Sequence, residues 1–68
     1  MTAKQWPAML LYNFGDKVQI ANVNDDKFRK LIGYIDDYTI GTFGVTYFVY
    51  IPSLDQSWPF KPSELNRL

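Results

Sequence analysis

The groups in this chain able to do chemistry are its carboxylates, a short run of cations and a large set of aromatic rings. Asp25-Asp26 and Asp36-Asp37 are paired acids, the type that serves as general acid and base or holds a divalent cation. Adjacent residues of a regular strand point to opposite faces, so Asp36 and Asp37 do not address one substrate from such a strand. Asn22, Asn24, Asp25 and Asp26 offer side-chain oxygens, but without the spacing or the distal glutamate of an EF-hand loop. Both acidic pairs read as turn formers. There is no histidine and no cysteine, which removes imidazole and thiolate as bases, nucleophiles and metal ligands, and removes disulfides. No nucleophile motif or glycine-rich phosphate loop accompanies the acids. Catalysis, a metal and a cofactor are therefore not expected.

The cations gather at Lys27, Arg29 and Lys30, with Phe28 among them. Basic residues interleaved with a ring can stack a base and meet a phosphate. Seven Lys and Arg are balanced by seven Asp and Glu, however, and Asp25 and Asp26 precede this run. A nucleic-acid binder needs cations in excess, so this segment reads as a solvated loop with Phe28 tucked into the domain, and nucleic acid is not the expected partner. Rings make up 18% of the chain, enough to serve either a small core or a binding surface.

These groups must be carried by strands. Residues 16–21 alternate, with Lys17 and Gln19 on one face and Val18 and Ile20 on the other. Residues 22–30 are a polar loop with room for one helical turn. Residues 31–35 form an apolar strand around Gly33, a position suited to a bulge, a bend or the close approach of another backbone. Asp36-Asp37 is expected to end that strand, and residues 38–44, holding Gly41 and Gly44, to form a turn. Residues 45–51 are all β-branched or aromatic and make the clearest strand. Pro52 stops it. Residues 57–60 form a short strand confined by Pro59 to an edge or to a position needing no N–H donor, residues 62–65 a 3₁₀ turn, and residues 66–68 a last strand.

A chain of 68 residues makes one small domain, which buries roughly 60% of its unfolded surface, so a partner or a second copy would add stability. Its apolar run at residues 8–11 is far shorter than a membrane span or a signal-peptide core, and the chain reads as cytoplasmic, without membrane contact. The expected fold is all-β, a five-stranded small barrel preceded by an N-terminal arm over residues 1–12, with the barrel over residues 13–68.

Gly15-Asp16-Lys17-Val18-Gln19-Ile20, Gly33-Tyr34-Ile35, Tyr47-Phe48-Val49 and Pro62-Ser63-Glu64-Leu65 occur in an order that resembles the SH3-like small-barrel superfamily. That superfamily includes KOW and Tudor-type domains and small accessory subunits of larger assemblies. The resemblance covers residues 14–68 and implies a fold without an activity. Leu10-Leu11-Tyr12-Asn13-Phe14 resembles the opening stretch of peptide-binding SH3 domains. The long acidic loop and the paired tryptophans of that family have no counterpart here. Phe14-Gly15-Asp16-Lys17-Val18 and Glu64-Leu65-Asn66-Arg67-Leu68 are similar to plasmid-type dihydrofolate reductase. The pore-lining stretch of that family falls on Trp58-Pro59-Phe60-Lys61, where no residue matches, so its activity is not carried over.

If Val45, Tyr47, Val49 and Ile51 face inward, then Thr46, Phe48 and Tyr50 face outward, and the rings on the second face either complete a core or a homo-oligomer contact or bind a partner. The expected function is a non-enzymatic protein-interaction module or accessory subunit. Its partner-binding residues would be Tyr34, Phe48, Tyr50, Trp58 and Phe60, with Phe28, Arg29 and Lys30 on the adjoining loop. Two alternatives remain, a KOW-like nucleic-acid-binding domain and a homo-oligomeric barrel that binds a small ligand.

Overall fold

Alternation in the most strand-prone segment sets the architecture. In the computed structural model, which describes residues 6–68, that segment is the eight-residue strand β3 (Gly44–Ile51). Tyr47, Val49 and Ile51 point inward and are buried, while Thr46, Phe48 and Tyr50 point outward and stay half-exposed. The other strands are β1 (Lys17–Ile20), β2 (Ile32–Gly41), β4 (Gln56–Phe60) and β5 (Leu65–Arg67). The fold is all-β: one antiparallel sheet in the order β4-β3-β2-β1-β5, with a 3₁₀ turn at Pro62–Glu64 ahead of the last strand. The core collects Val18 and Ile20 from β1, Ile35 from β2, Phe60 from β4, Leu65 from β5 and Tyr12 from the segment before β1.

β2 is longer than the sequence pattern suggests. Asp36-Asp37 does not end it, because the register slips between Ile35 and Asp37. A bulge of this kind absorbs one residue and lets pairing resume. Tyr38, Thr39 and Ile40, expected in a turn, then pair with Tyr47, Thr46 and Val45. All three are strand formers, and the true turn is only the pair Thr42-Phe43 between Gly41 and Gly44. Of the bulge, bend or close approach open to Gly33, the structure shows the close approach: a Cβ there would lie 2.5 Å from Val49 Cγ1 and 2.6 Å from the Tyr50 carbonyl oxygen. Only glycine lets β2 cross β3 this tightly.

The hydrogen-bonded closure of a barrel is absent, since β4 and β5 stand at opposite ends of the strand order. β5 has three residues, and β4 carries Pro59, which has no N–H to donate. The 3₁₀ turn carries the chain from β4 to β5 and is tied to the residues that follow β1. Ala21 N–H donates to the Glu64 carbonyl at 2.9 Å, and the Asn22 side chain donates to the Ser63 carbonyl at 2.9 Å.

Residues 1–5 of the expected N-terminal arm lie outside the described residues. From Trp6 onward the arm packs on the sheet, where the Trp6 ring lies 4.5 Å from that of Tyr38. The Tyr47 hydroxyl accepts the N–H groups of Leu11 and Tyr12, at 3.0 and 3.3 Å. Arg67 donates to the Leu11 carbonyl at 2.5 Å and stands over the Tyr12 ring.

Candidate binding surface

The register of β3 with β4 divides the aromatic residues into two groups. Phe60 lies opposite Tyr47, and Trp58 lies opposite Val49, so both share the inward face. Phe60 is only 6% exposed, which removes it from any contact surface on the folded chain. Trp58 is half-buried beside it. Phe28 closes over the pair from the loop after β1, edge to face, with centroids 5.1 Å from Trp58 and 5.5 Å from Phe60. Lys27 caps the group, its ammonium 5.3 Å from the Trp58 centroid and 5.5 Å from that of Phe28. These rings form the lid of the core. Trp58 and Phe60 do not join the outward surface assigned to them from sequence, because their strand positions have the wrong parity, while Phe28 is tucked against the core from its loop.

The cations of that loop divide as well. Arg29 is held within its own loop by an ion pair to Asp26 at 2.9 Å and a hydrogen bond to the Val23 carbonyl at 3.2 Å. Asp25 accepts the Lys27 N–H at 3.0 Å, so this acidic pair does shape a turn. Lys30 is different. Its backbone sits in the left-handed region at φ 68°, pinned by its N–H to the Ile20 carbonyl at 2.7 Å. Its side chain is exposed and has no ion-pair partner among the described residues.

Tyr34, Phe48 and Tyr50 do come together on the outward face. Tyr34 pairs across the ladder with Tyr50, and Phe48 sits between Asp37 and Pro59 on the neighbouring strands. Tyr34 is 40% exposed. The Tyr50 hydroxyl donates to Asp55 Oδ1 at 2.5 Å. That bond, with smaller contributions from desolvation and from the Asp55 charge, holds the Tyr50 phenol above its ordinary pKa of 10.0. Asp36 Oδ2 accepts the Ser57 hydroxyl at 2.9 Å. Both carboxylates are therefore positioned by donors on β3 and β4.

Beside Tyr34 lies an open groove of about 390 Å³, lined by Lys17, Lys30, Ile32 and Tyr34 and by Pro52 of the β3–β4 turn. Lys17, Ile32 and Pro52 were not among the residues assigned from sequence. Lys17 and Ile32 follow from register alone, since Lys17 is opposite Tyr34 and Gln19 opposite Ile32. A second recess of about 520 Å³ lies between the β2–β3 hairpin tip and the 3₁₀ turn. At that tip Phe43 is fully exposed, within a segment whose sequence signalled only a turn.

Among the described residues no three acidic, histidine or cysteine side chains gather as a metal site, and no helix is long and apolar enough to cross a membrane. Comparison with protein-family models, with curated proteins and with solved structures finds no match to this chain. The outward face itself has to carry the functional reading.

Proposed function

We propose that this chain is a non-enzymatic protein-interaction module or small accessory subunit, acting in the cytoplasm, that binds a protein through Tyr34, Phe48 and Tyr50. One observation carries the proposal: these rings stay half-exposed on the outward face while the core beneath is already filled by Val18, Ile20, Ile35, Tyr47, Val49, Ile51 and Phe60. Rings that complete no core but stand side by side on a rigid sheet are suited to anchor a partner. The titratable groups nearby support binding rather than catalysis, since Asp55 and Asp36 are engaged with Tyr50 and Ser57 in holding the surface. The scaffold belongs to the same proposal: an SH3-like barrel, supported by the β1–β5 pairing, the bulged β2 and the 3₁₀ turn before β5.

The test is co-purification with a tagged chain from its native host. The double variant Tyr34→Ala/Tyr50→Ala is expected to lose its bound protein by about tenfold or more, the usual effect of removing two anchor rings, while its urea midpoint moves little. Undiminished protein recovery would overturn the proposal. So would recovery of nucleic acid that salt releases and that Lys30→Ala weakens, an outcome belonging to the KOW-like alternative.

A further inference from the structure

The outward face is polarised in charge, and its two ends match each other. Ser57, Tyr50, Tyr34 and Lys17 form one continuous row across β4, β3, β2 and β1. Lys17 stands at the β1 end, and Lys30 lines the same groove. Neither has an ion-pair partner among the described residues. Carboxylates occupy the β4 end. The Asp36 carboxylate reaches there from β2 and accepts the hydroxyl of Ser57, and Asp55, just ahead of β4, accepts the hydroxyl of Tyr50. Between these ends lie the two tyrosine rings.

We propose that a second copy of this chain is the partner of this face, paired about a two-fold axis that passes between Tyr34 and Tyr50. The proposal rests on the outward face being a protein-binding surface and names what binds there. A two-fold rotation brings each end of the row onto the other, so Lys17 and Lys30 of one copy meet Asp36 and Asp55 of the second, twice over. Tyr34 of each copy then lies against Tyr50 of the other. This is the self-complementarity that a two-fold interface requires. A foreign acidic segment would satisfy only the lysine end, and a basic one only the carboxylate end.

Three further features favour a second copy. The carboxylates are already fixed by their hydroxyl donors, so pairing does not have to order them. The groove beside Lys17 and Lys30 has an apolar floor of Ile32, Tyr34 and Pro52 and gives an incoming side chain a place to lodge. The chain's formal net charge of zero means that two copies meet without overall repulsion.

Sedimentation velocity of the full chain over a concentration series tests this. The mass is expected to rise from the 8.0 kDa monomer toward twice that value, and to fall back when salt is added. An acidic variant, Lys17→Glu/Lys30→Glu, and a basic variant, Asp36→Lys/Asp55→Lys, should each lose about tenfold or more in self-affinity, because like charges then face each other. Mixed one to one, they should form a dimer that neither forms alone. Near-ultraviolet circular dichroism checks that each is folded. If the basic variant is not, Asp36→Asn/Asp55→Asn keeps the hydrogen-bond acceptors and should still weaken association.

A chain that stays monomeric at about 1 mM overturns the pairing. So does a dimer indifferent to the lysine reversals, or a mixture that fails to restore association. A monomer that still loses a co-purifying protein on Tyr34→Ala/Tyr50→Ala would overturn the self-pairing and leave the interaction module standing.

Discussion

Two groups of aromatic residues on and beside neighbouring strands have opposite fates. Phe28, Trp58 and Phe60 meet edge to face and close one side of the core. Tyr34, Phe48 and Tyr50 lie on the reverse side of the sheet, on β2 and β3, half-exposed and bordered by charged groups. Residue type alone does not separate them, since phenylalanine falls in both groups. The difference is a matter of odd and even positions against the β3 register. In a sheet with one packed side, one step along the strand moves a ring from structure to surface.

The contrast is sharpest in stability. Phe60→Ala removes a buried ring and should cost about 3–5 kcal/mol, enough to leave a chain of this size largely unfolded. Phe48→Ala removes an outward ring of the same kind and should cost about 1 kcal/mol, the scale of a cross-strand pair. Urea unfolding of the two variants side by side measures this, and equal losses would erase the distinction between the faces.

Lys30 gives a smaller and differently signed effect. Its left-handed backbone, φ 68°, is one that a side-chain-bearing residue adopts at a cost of about 1–2 kcal/mol and glycine adopts freely. Glycine costs back about 0.5–1 kcal/mol in the entropy of the unfolded chain. Lys30→Gly should therefore hold or raise stability by up to about 1 kcal/mol while weakening any association through the outward face. A fall in both together would make Lys30 a structural residue of the loop and remove it from the surface.

The smallest effect concerns pH. The folded state raises the Tyr50 pKa, chiefly through the bond to Asp55, so it favours the protonated phenol. The stability from this bond is complete below the ordinary value of 10.0 and is lost as pH climbs through the raised value in the folded chain. The stability difference between the parent chain and Tyr50→Phe should be constant from about pH 7 to about pH 9 and shrink above that range. A difference that persists into strong alkali would mean that the hydroxyl contributes in some way other than donating to Asp55.

Much of the architecture was legible beforehand for local reasons. Seven consecutive β-branched or aromatic residues at positions 45–51 have one good conformation, and Pro52 marks where it ends. Pro62 and Glu64 likewise announce their own 3₁₀ turn. The continuation of β2 through Asp36-Asp37 was not legible. A bulge is favoured by what lies opposite, here Phe48 and Val49, and the acidic pair carries no mark of them. Gly33 was legible as a special position, but its reason, the approach of Val49 and the Tyr50 carbonyl, belongs to another strand.

The candidate surface divides along the same line. Residue types alone determined an all-β chain, with two alternating faces and rings for either a core or a binding surface, because strand propensity and alternation are properties of a segment by itself. Tertiary structure alone decided which rings those were. Phe60 and Trp58 became core and Tyr34, Phe48 and Tyr50 became surface through the β2–β3 and β3–β4 registers. Arg29 was taken up by Asp26 while Lys30 and Lys17, beside Tyr34, have no ion-pair partner among the described residues, since a loop's ion pairs depend on how it folds back on itself. Register and loop closure join residues far apart in the chain, and no single segment encodes which of its faces its neighbours will cover.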